Sequence, residues 1–338
     1  MSKANDRDVA EVVSLPVEEA EHEGADEGES LDQLRDALEG LRREIRCRFP
    51  QRVQSGAKID WMPLFQDLRR RLSTLGMAER SAVVDEFGMD EVVLQRSRRP
   101  LDFLFERYWR IEVVGLENIP AEGPELLVAN RSGLLPYDGL MVAHALERWR
   151  PRAQRPRFLV ADWLITLPFV QPYLARLGGV RACRENADRL LRRGSSVIAF
   201  PEGAKGATKA FRDRYRMMRF GRGGVVRTAL ENEVPLVPVG IVGPEEAHPI
   251  LFKWRLGGRA VGLPFLPVTP TFPVLGPLGL LPLPTKWLIC FGEPIDVEAC
   301  GAEAARDEIL VSRLTEELRQ RVEALVSRGL ELRPSVWA

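Results

Sequence analysis

Asn130-Arg131-Ser132-Gly133-Leu134-Leu135-Pro136-Tyr137-Asp138-Gly139 leaves an apolar run and sets a cation and a carboxylate seven residues apart around a short loop. A second loop, Phe200-Pro201-Glu202-Gly203-Ala204-Lys205, leaves another apolar run and again joins a carboxylate, a glycine and a cation. Carboxylates orient or act as bases in proton transfer, and cations hold phosphates and other anions. Arg131 cannot take a proton, because a guanidinium has no free lone pair and its pKa lies above about 12. An Arg131–Asp138 ion pair across the first loop would keep the loop's shape while abolishing proton abstraction there.

Three histidines are present to serve as a base instead. His22 lies in an acidic tail. His144 stands six residues beyond Asp138 on the same expected helix, which places it on a different face. His248, in Gly243-Pro244-Glu245-Glu246-Ala247-His248-Pro249, follows a buried-strand pattern and is the candidate substitute base. The four cysteines, Cys47, Cys183, Cys290 and Cys300, show no metal-binding spacing, which points to a reducing compartment and no metal site. Cys183 has no histidine near it in sequence and reads as a bystander thiol.

The elements that must position these residues alternate along the chain. Strand patterns at 109–115, 126–129, 157–160, 197–200 and 235–242 are interleaved with helical patterns at 138–149, 163–177, 187–193 and 224–231, and a charged amphipathic helix is expected at 303–325. Short apolar strands alternating with helices predict an α/β domain built on a mostly parallel central sheet flanked by helices. Sites in such sheets lie in the loops after the strands, so the loops after 129, 200 and 242 are expected to converge.

Four segments together resemble the motifs of the glycerolipid (1-acyl-glycerol-3-phosphate) acyltransferase family. Residues 126–139 resemble the first, where a strand ends in Asn-His and an Asp opens the next helix; Arg131 stands at the His position. Gly178 with Arg184 resembles the second, Val197-Ile198-Ala199-Phe200-Pro201-Glu202-Gly203-Ala204-Lys205 the third, and Val234-Pro235-Leu236-Val237-Pro238-Val239-Gly240-Ile241 the fourth. The resemblance spans roughly residues 108–298, and Pro284-Thr285-Lys286-Trp287 with Gly292-Glu293-Pro294-Ile295 is similar to a bacterial lysophospholipid acyltransferase-like branch. It implies that Asp138 orients a base, that Arg184 and Lys205 bind the acceptor's phosphate, and that Glu202 and Gly203 shape the acceptor site. It also implies an acyl-CoA or acyl-carrier protein donor, a lysophospholipid or glycerolipid acceptor, a role in phospholipid biosynthesis and no bound cofactor. Two functions stay open: a transferase with an altered base, such as His248 or a water positioned by Asp138, and a pseudoenzyme that binds lysophospholipid or acyl chains or regulates an active relative. One nucleotide separates His from Arg codons, so an inherited replacement and a recent change are equally open.

Composition bounds the rest. The 338 residues are 45% hydrophobic and 28% charged, enough for one large domain with an appendage, and 48 Lys plus Arg balance 48 Asp plus Glu, which gives no global pull toward nucleic acid. Residues 1–30 form an acidic tail expected to be disordered, 31–100 a helical appendage that packs beside the core or on a membrane, and 101–338 the α/β domain. The run 209–224 interleaves arginines with aromatics, and thioester-cofactor phosphates or anionic lipid headgroups are its expected partners rather than nucleic acid. Residues 260–285 hold seven prolines and no charge, an extended apolar loop that is either buried or touches lipid. No secretory signal or spanning helix is expected. The expected location is cytoplasmic, peripheral to the inner face of the plasma membrane.

Overall fold

The computed structural model describes residues 84–337, apart from 122, 134, 151–154, 166–170, 261–264, 277–278 and 280. The acidic tail and most of the helical appendage therefore lie outside the described residues. Asp90 accepts from the N–H groups of Val92 and Val93 and so starts helix α1 (Glu91–Asp102), which crosses residue 100 and places Leu94 and Leu101 in the interior. Pro100 and the π-turn Phe103–Tyr108 lead into strand β1 (Glu112–Val114).

The chain then runs through β2 (Leu126–Ala129), α2 (Tyr137–Trp149), β3 (Arg157–Val160), α3 (Asp162–Ile165), α4 (Gln171–Arg176), β4 (Gly179–Arg181), α5 (Arg184–Arg192) and β5 (Val197–Ala199). It continues with α6 (Gly203–Ala207), α7 (Gly224–Asn232), β6 (Leu236–Val242), α8 (Pro244–Ala247), β7 (Phe252–Trp254), α9 (Arg255–Ala260), β8 (Leu266–Val268), β9 (Leu288–Phe291) and α10 (Glu308–Leu332). Seven strands form one sheet in the order β1-β9-β6-β2-β5-β3-β4. Every pair is parallel except β6 with β9, and β7 pairs with β8 as a separate two-stranded ribbon.

Helices cover both faces of the sheet, so β2 and β6 are buried at every residue, as a parallel sheet requires. Alternate residues serve opposite faces. Leu127, Ala129, Val237 and Ile241 pack with α2 and the stacked pair Trp109–Trp287, while Leu126, Val128, Val197 and Leu236 pack with α7 and α10. Gly139 lets α2 lie directly on Phe158 of β3, because a Cβ there would come within 2.9 Å of the Phe158 Cβ. That contact fixes the start of α2, and hence Asp138, against the sheet.

Several bounds differ from the sequence reading. The C-terminal helix starts at Glu308, behind an Asp307 cap, and not at 303. The first strand is shorter than 109–115 because Trp109 and Ile111 N–H groups still bond back to the π-turn. The Pro-rich stretch expected to be all loop carries β8, whose central Pro267 lies opposite Lys253 in a two-stranded ribbon, where each strand is an edge and tolerates a proline.

Candidate active site

The loops after β2, β5 and β6 meet at the carboxyl ends of three adjacent strands. Asn130 makes the first link: its side-chain amide donates to the Ile241 carbonyl at 2.9 Å and its Oδ1 accepts from the Ile241 N–H at 2.7 Å. The amide thus continues the β2–β6 ladder one residue past the strand and holds the loop beside β6.

Arg131 and Asp138 form a buried ion pair across the loop, Nη1 to Oδ1 at 2.6 Å, with side chains 5% and 0% exposed. The same carboxylate accepts from the N–H of Gly139 at 2.8 Å and, through Oδ2, from the N–H of Ser132 at 3.1 Å. Burial pushes the Asp138 carboxyl above its ordinary range, and the Arg131 charge and the N–H donors oppose that push. The Arg131 guanidinium also lies 5.0 Å from the centre of the Phe200 ring. The pairing expected from the seven-residue spacing is present, and the guanidinium in it has no lone pair to accept a hydroxyl proton.

Glu202 ties the second loop to the first. Its Oε1 accepts from the Arg131 N–H at 2.8 Å and its Oε2 from the Met218 N–H at 2.9 Å. Gly206 permits that approach, since a Cβ there would stand 2.6 Å from the Glu202 Cβ and 2.8 Å from the Arg131 Cβ. Lys209 lies 3.5 Å from Glu202 and 2.7 Å from Glu245, with all three side chains buried. Burial pushes the Glu245 carboxyl upward and Lys209 counters it. Tyr215, whose hydroxyl accepts from the N–H of Gly243, extends the network to Arg333 and Glu246, an ion pair that fastens the end of α10. Glu202 is thus a buried brace between the two loops.

A cavity of about 250 Å³ opens beside this cluster. Arg131, Arg184, Phe200, Pro201 and Gly203 line it, with Cys183, Val225 and Thr228 among the other walls. Arg184 reaches it from the start of α5 while paired with Glu231. Lys205 is exposed on α6 and makes no ion pair among the described residues. His248 is buried and its ring stacks on Tyr137, centroids 6.1 Å apart and planes 5° apart, one residue before Asp138. His144 points elsewhere, its Nε2 2.8 Å from Asp102. No group of metal-binding side chains occurs among the described residues.

Sequence reasoning missed Lys209, Glu245 and Tyr215. Lys209 opens a run rich in arginines, and such runs face water, but this lysine turns inward between two carboxylates while Arg212 and Arg214 stay exposed. The available signal was the pair of acidic residues, Glu245 and Glu246, directly after a buried strand.

An acyltransferase family profile matches residues 110–242, which contain the loops after β2 and β5 and end with the last residue of β6. Uncharacterized proteins of Mycobacterium tuberculosis and Mycobacterium leprae are 43% and 44% identical over 255 residues, covering 75% of this chain and 71% and 70% of theirs. A Bos taurus protein described as a DGAT1/2-independent enzyme synthesizing storage lipids is 24% identical over 223 residues, 64% of this chain and 59% of its own. The crystal structure of the 1-acyl-sn-glycerophosphate acyltransferase PlsC from Thermotoga maritima aligns with 80% of this chain and 90% of that one, at 20% identity and a TM-score of 0.45. On the family profile and the extended likeness to the mycobacterial proteins, the chain belongs to the acyltransferase family.

Proposed function

We propose that this chain is a phospholipid acyltransferase-like protein of lipid metabolism that binds a lysophospholipid or glycerolipid acceptor and the acyl chain of an acyl-CoA or acyl-carrier protein donor, with the usual proton-abstraction step disabled. The Arg131–Asp138 pair carries the reading. Transfer requires the acceptor hydroxyl to lose its proton as its oxygen attacks the thioester carbonyl, after which the carbon–sulfur bond breaks and the thiol leaves protonated. A guanidinium locked on the carboxylate supplies charge at that position and no base. Charge and apolar lining remain suited to ligand: Arg131, Arg184 and the exposed Lys205 offer cations to a phosphate, and Leu126, Leu159 and Val225 offer an apolar wall to a chain. The bovine relative's description as an enzyme synthesizing storage lipids supports a place in lipid metabolism. Such ligands reside in bilayers, so the reading includes peripheral association with the inner face of the plasma membrane; no helix among the described residues is long and apolar enough to cross a membrane.

One observation favours a second reading. His248 is held against Tyr137 at the mouth of α2, which places an imidazole in the same loop cluster as Asp138. In that case the chain transfers acyl groups with His248 as base.

Turnover of palmitoyl-CoA with lysophosphatidate, read as free CoA and acylated product, separates the two. The unmodified chain is expected to bind lysophosphatidate saturably without acceptor-dependent CoA release, Arg131→His to gain transfer, and Arg184→Ala with Lys205→Ala to weaken binding. Transfer by the unmodified chain that disappears in His248→Ala establishes the second reading in its place.

A further inference from the structure

From residue 247 to residue 292 the chain contains no Asp or Glu, while Lys253, Arg255, Arg259 and Lys286 are cationic. Large apolar side chains stand in water along this stretch. Leu251, Phe252 and Trp254 are exposed on and beside β7, Leu256 is 74% exposed on α9, and Val274 and Leu275, the former 83% exposed, occupy the turn after β8. Phe252 and Trp254 are two residues apart on one strand and so share a face.

We infer that the β7–α9–β8 ribbon and the turn that follows form a monotopic docking surface for the acyl layer of an anionic bilayer. The inference rests on the lipid-binding reading above and names the surface that delivers the lipid. Charge sorts the occupant: Arg255 on the ribbon, and Arg212 and Arg214 beside it, are exposed cations that outnumber Asp213, the ion-pair partner of Arg212, and residues 247–292 hold no carboxylate to repel lipid phosphates. The Phe211 N–H bonds the Ile250 carbonyl at 2.8 Å, which anchors that cationic turn to the ribbon. Tryptophan beside phenylalanine and leucine, fringed by Lys and Arg, is the composition of an interfacial segment.

The backbone is also prepared for an apolar phase, where each unpaired polar group costs several kcal/mol. β7 and β8 pair with each other. In the turn, the Thr269 N–H bonds Phe272 O, the Phe272 N–H bonds Thr269 Oγ1, the Leu275 N–H bonds Thr271 O, and Thr271 Oγ1 donates to Gly279 O at 2.8 Å. The prolines bring no donor that needs a partner. The surface adjoins the candidate site: Lys253 Nζ donates to Thr208 Oγ1 at 3.4 Å, and Thr208 directly follows α6, whose Gly206 packs on Arg131.

Flotation of the full chain with phosphatidylcholine vesicles containing phosphatidylglycerol tests this. The unmodified chain is expected to float, and Phe252→Ser with Trp254→Ser, or Val274→Ser with Leu275→Ser, to lower partitioning about tenfold or more. Arg212→Glu and Arg255→Glu are expected to lower it about fivefold each on anionic vesicles and little on neutral ones. Leu332→Ser, an exposed change on α10, serves as the control that leaves flotation intact. Far-ultraviolet circular dichroism and melting of the exposed-site variants should match the parent. Flotation of all variants equal to the parent overturns the inference, and so does absent flotation with concentration-dependent dimerisation that the serine variants abolish, which would make the patch an interface between copies. Binding of a soluble short-chain lysophosphatidate, measured without vesicles, reports on the cavity alone. Its loss with flotation preserved sinks the ligand reading and leaves the docking surface standing.

Discussion

Among the described residues Arg131 and Asp138 are each other's only ion-pair partner, in a site where both side chains are almost wholly out of water. Removing one member of such a pair leaves a buried charge uncompensated, which costs about 3–5 kcal/mol. Asp138→Asn is therefore expected to lower unfolding free energy by about that amount in urea titration, while Arg131→Met combined with Asp138→Asn recovers much of the loss. Additive losses in the double variant would show that the pair is not coupled. Ser132 offers the opposite case: its Oγ is buried and has no hydrogen-bond partner among the described residues, so Ser132→Ala is expected to leave stability unchanged or to raise it slightly. The Arg131–Asp138 pair was legible because a cation and a carboxylate flanked a short loop between two recognisable elements. The Lys209–Glu202–Glu245 cluster was not, because Lys209 sits at the head of an arginine-rich run that reads as solvent-facing and Glu245 comes from a distant loop that only the fold brings in.

Elements were legible where burial and period agreed. β2 and β3 fall on the expected residues because runs of four and three consecutive apolar residues bounded by loop signals leave little choice. β4 escaped notice because Gly179-Val180-Arg181 carries one apolar residue and takes its register from β3. Helix α10 could be foreseen but its footing could not, since what holds it is Gly240 on β6. A Cβ there would stand 2.6 Å from the Leu325 Cβ and 2.7 Å from its carbonyl carbon, so the sheet or the helix backbone must move. Gly240→Ala is expected to cost about 1–3 kcal/mol, whereas Gly221→Ala, where nothing lies within 4 Å, should cost little. Helix α2 carries a pH signature. Burial lowers the pKa of His144 from 6.5 to about 4, with Asp102 opposing and Arg155 and Arg148 reinforcing the shift. Between those values the unfolded chain holds a proton that the folded one has lost, so stability rises as pH climbs from about 4 to 6.5, by about 3 kcal/mol in all. His144→Gln should flatten that part of the urea-midpoint profile, and an unchanged slope would place the titration elsewhere.

At the scale of the whole molecule, the charged braces, the cavity and the apolar ribbon all lie around the loops that leave β2, β5 and β6, and α7, which packs with α10 on one face of the sheet, also lends Val225 and Thr228 to the cavity wall. Apolar contact area at the membrane and polar contact at the headgroup contribute to separate steps, so they should separate in measurement. For a long-chain lysophospholipid presented in anionic vesicles, apparent affinity should fall about tenfold when Phe252 and Trp254 become serine, because the protein spends less time on the surface. For a short-chain lysophospholipid free in solution, the same variant should bind as the parent does. Arg184→Ala should do the reverse of sparing one ligand, weakening both by a similar factor, because it acts on the headgroup after docking. If the serine variant lost affinity for the soluble ligand as well, ribbon and cavity would have to be one binding surface, and the two-step account of capture followed by seating would fail.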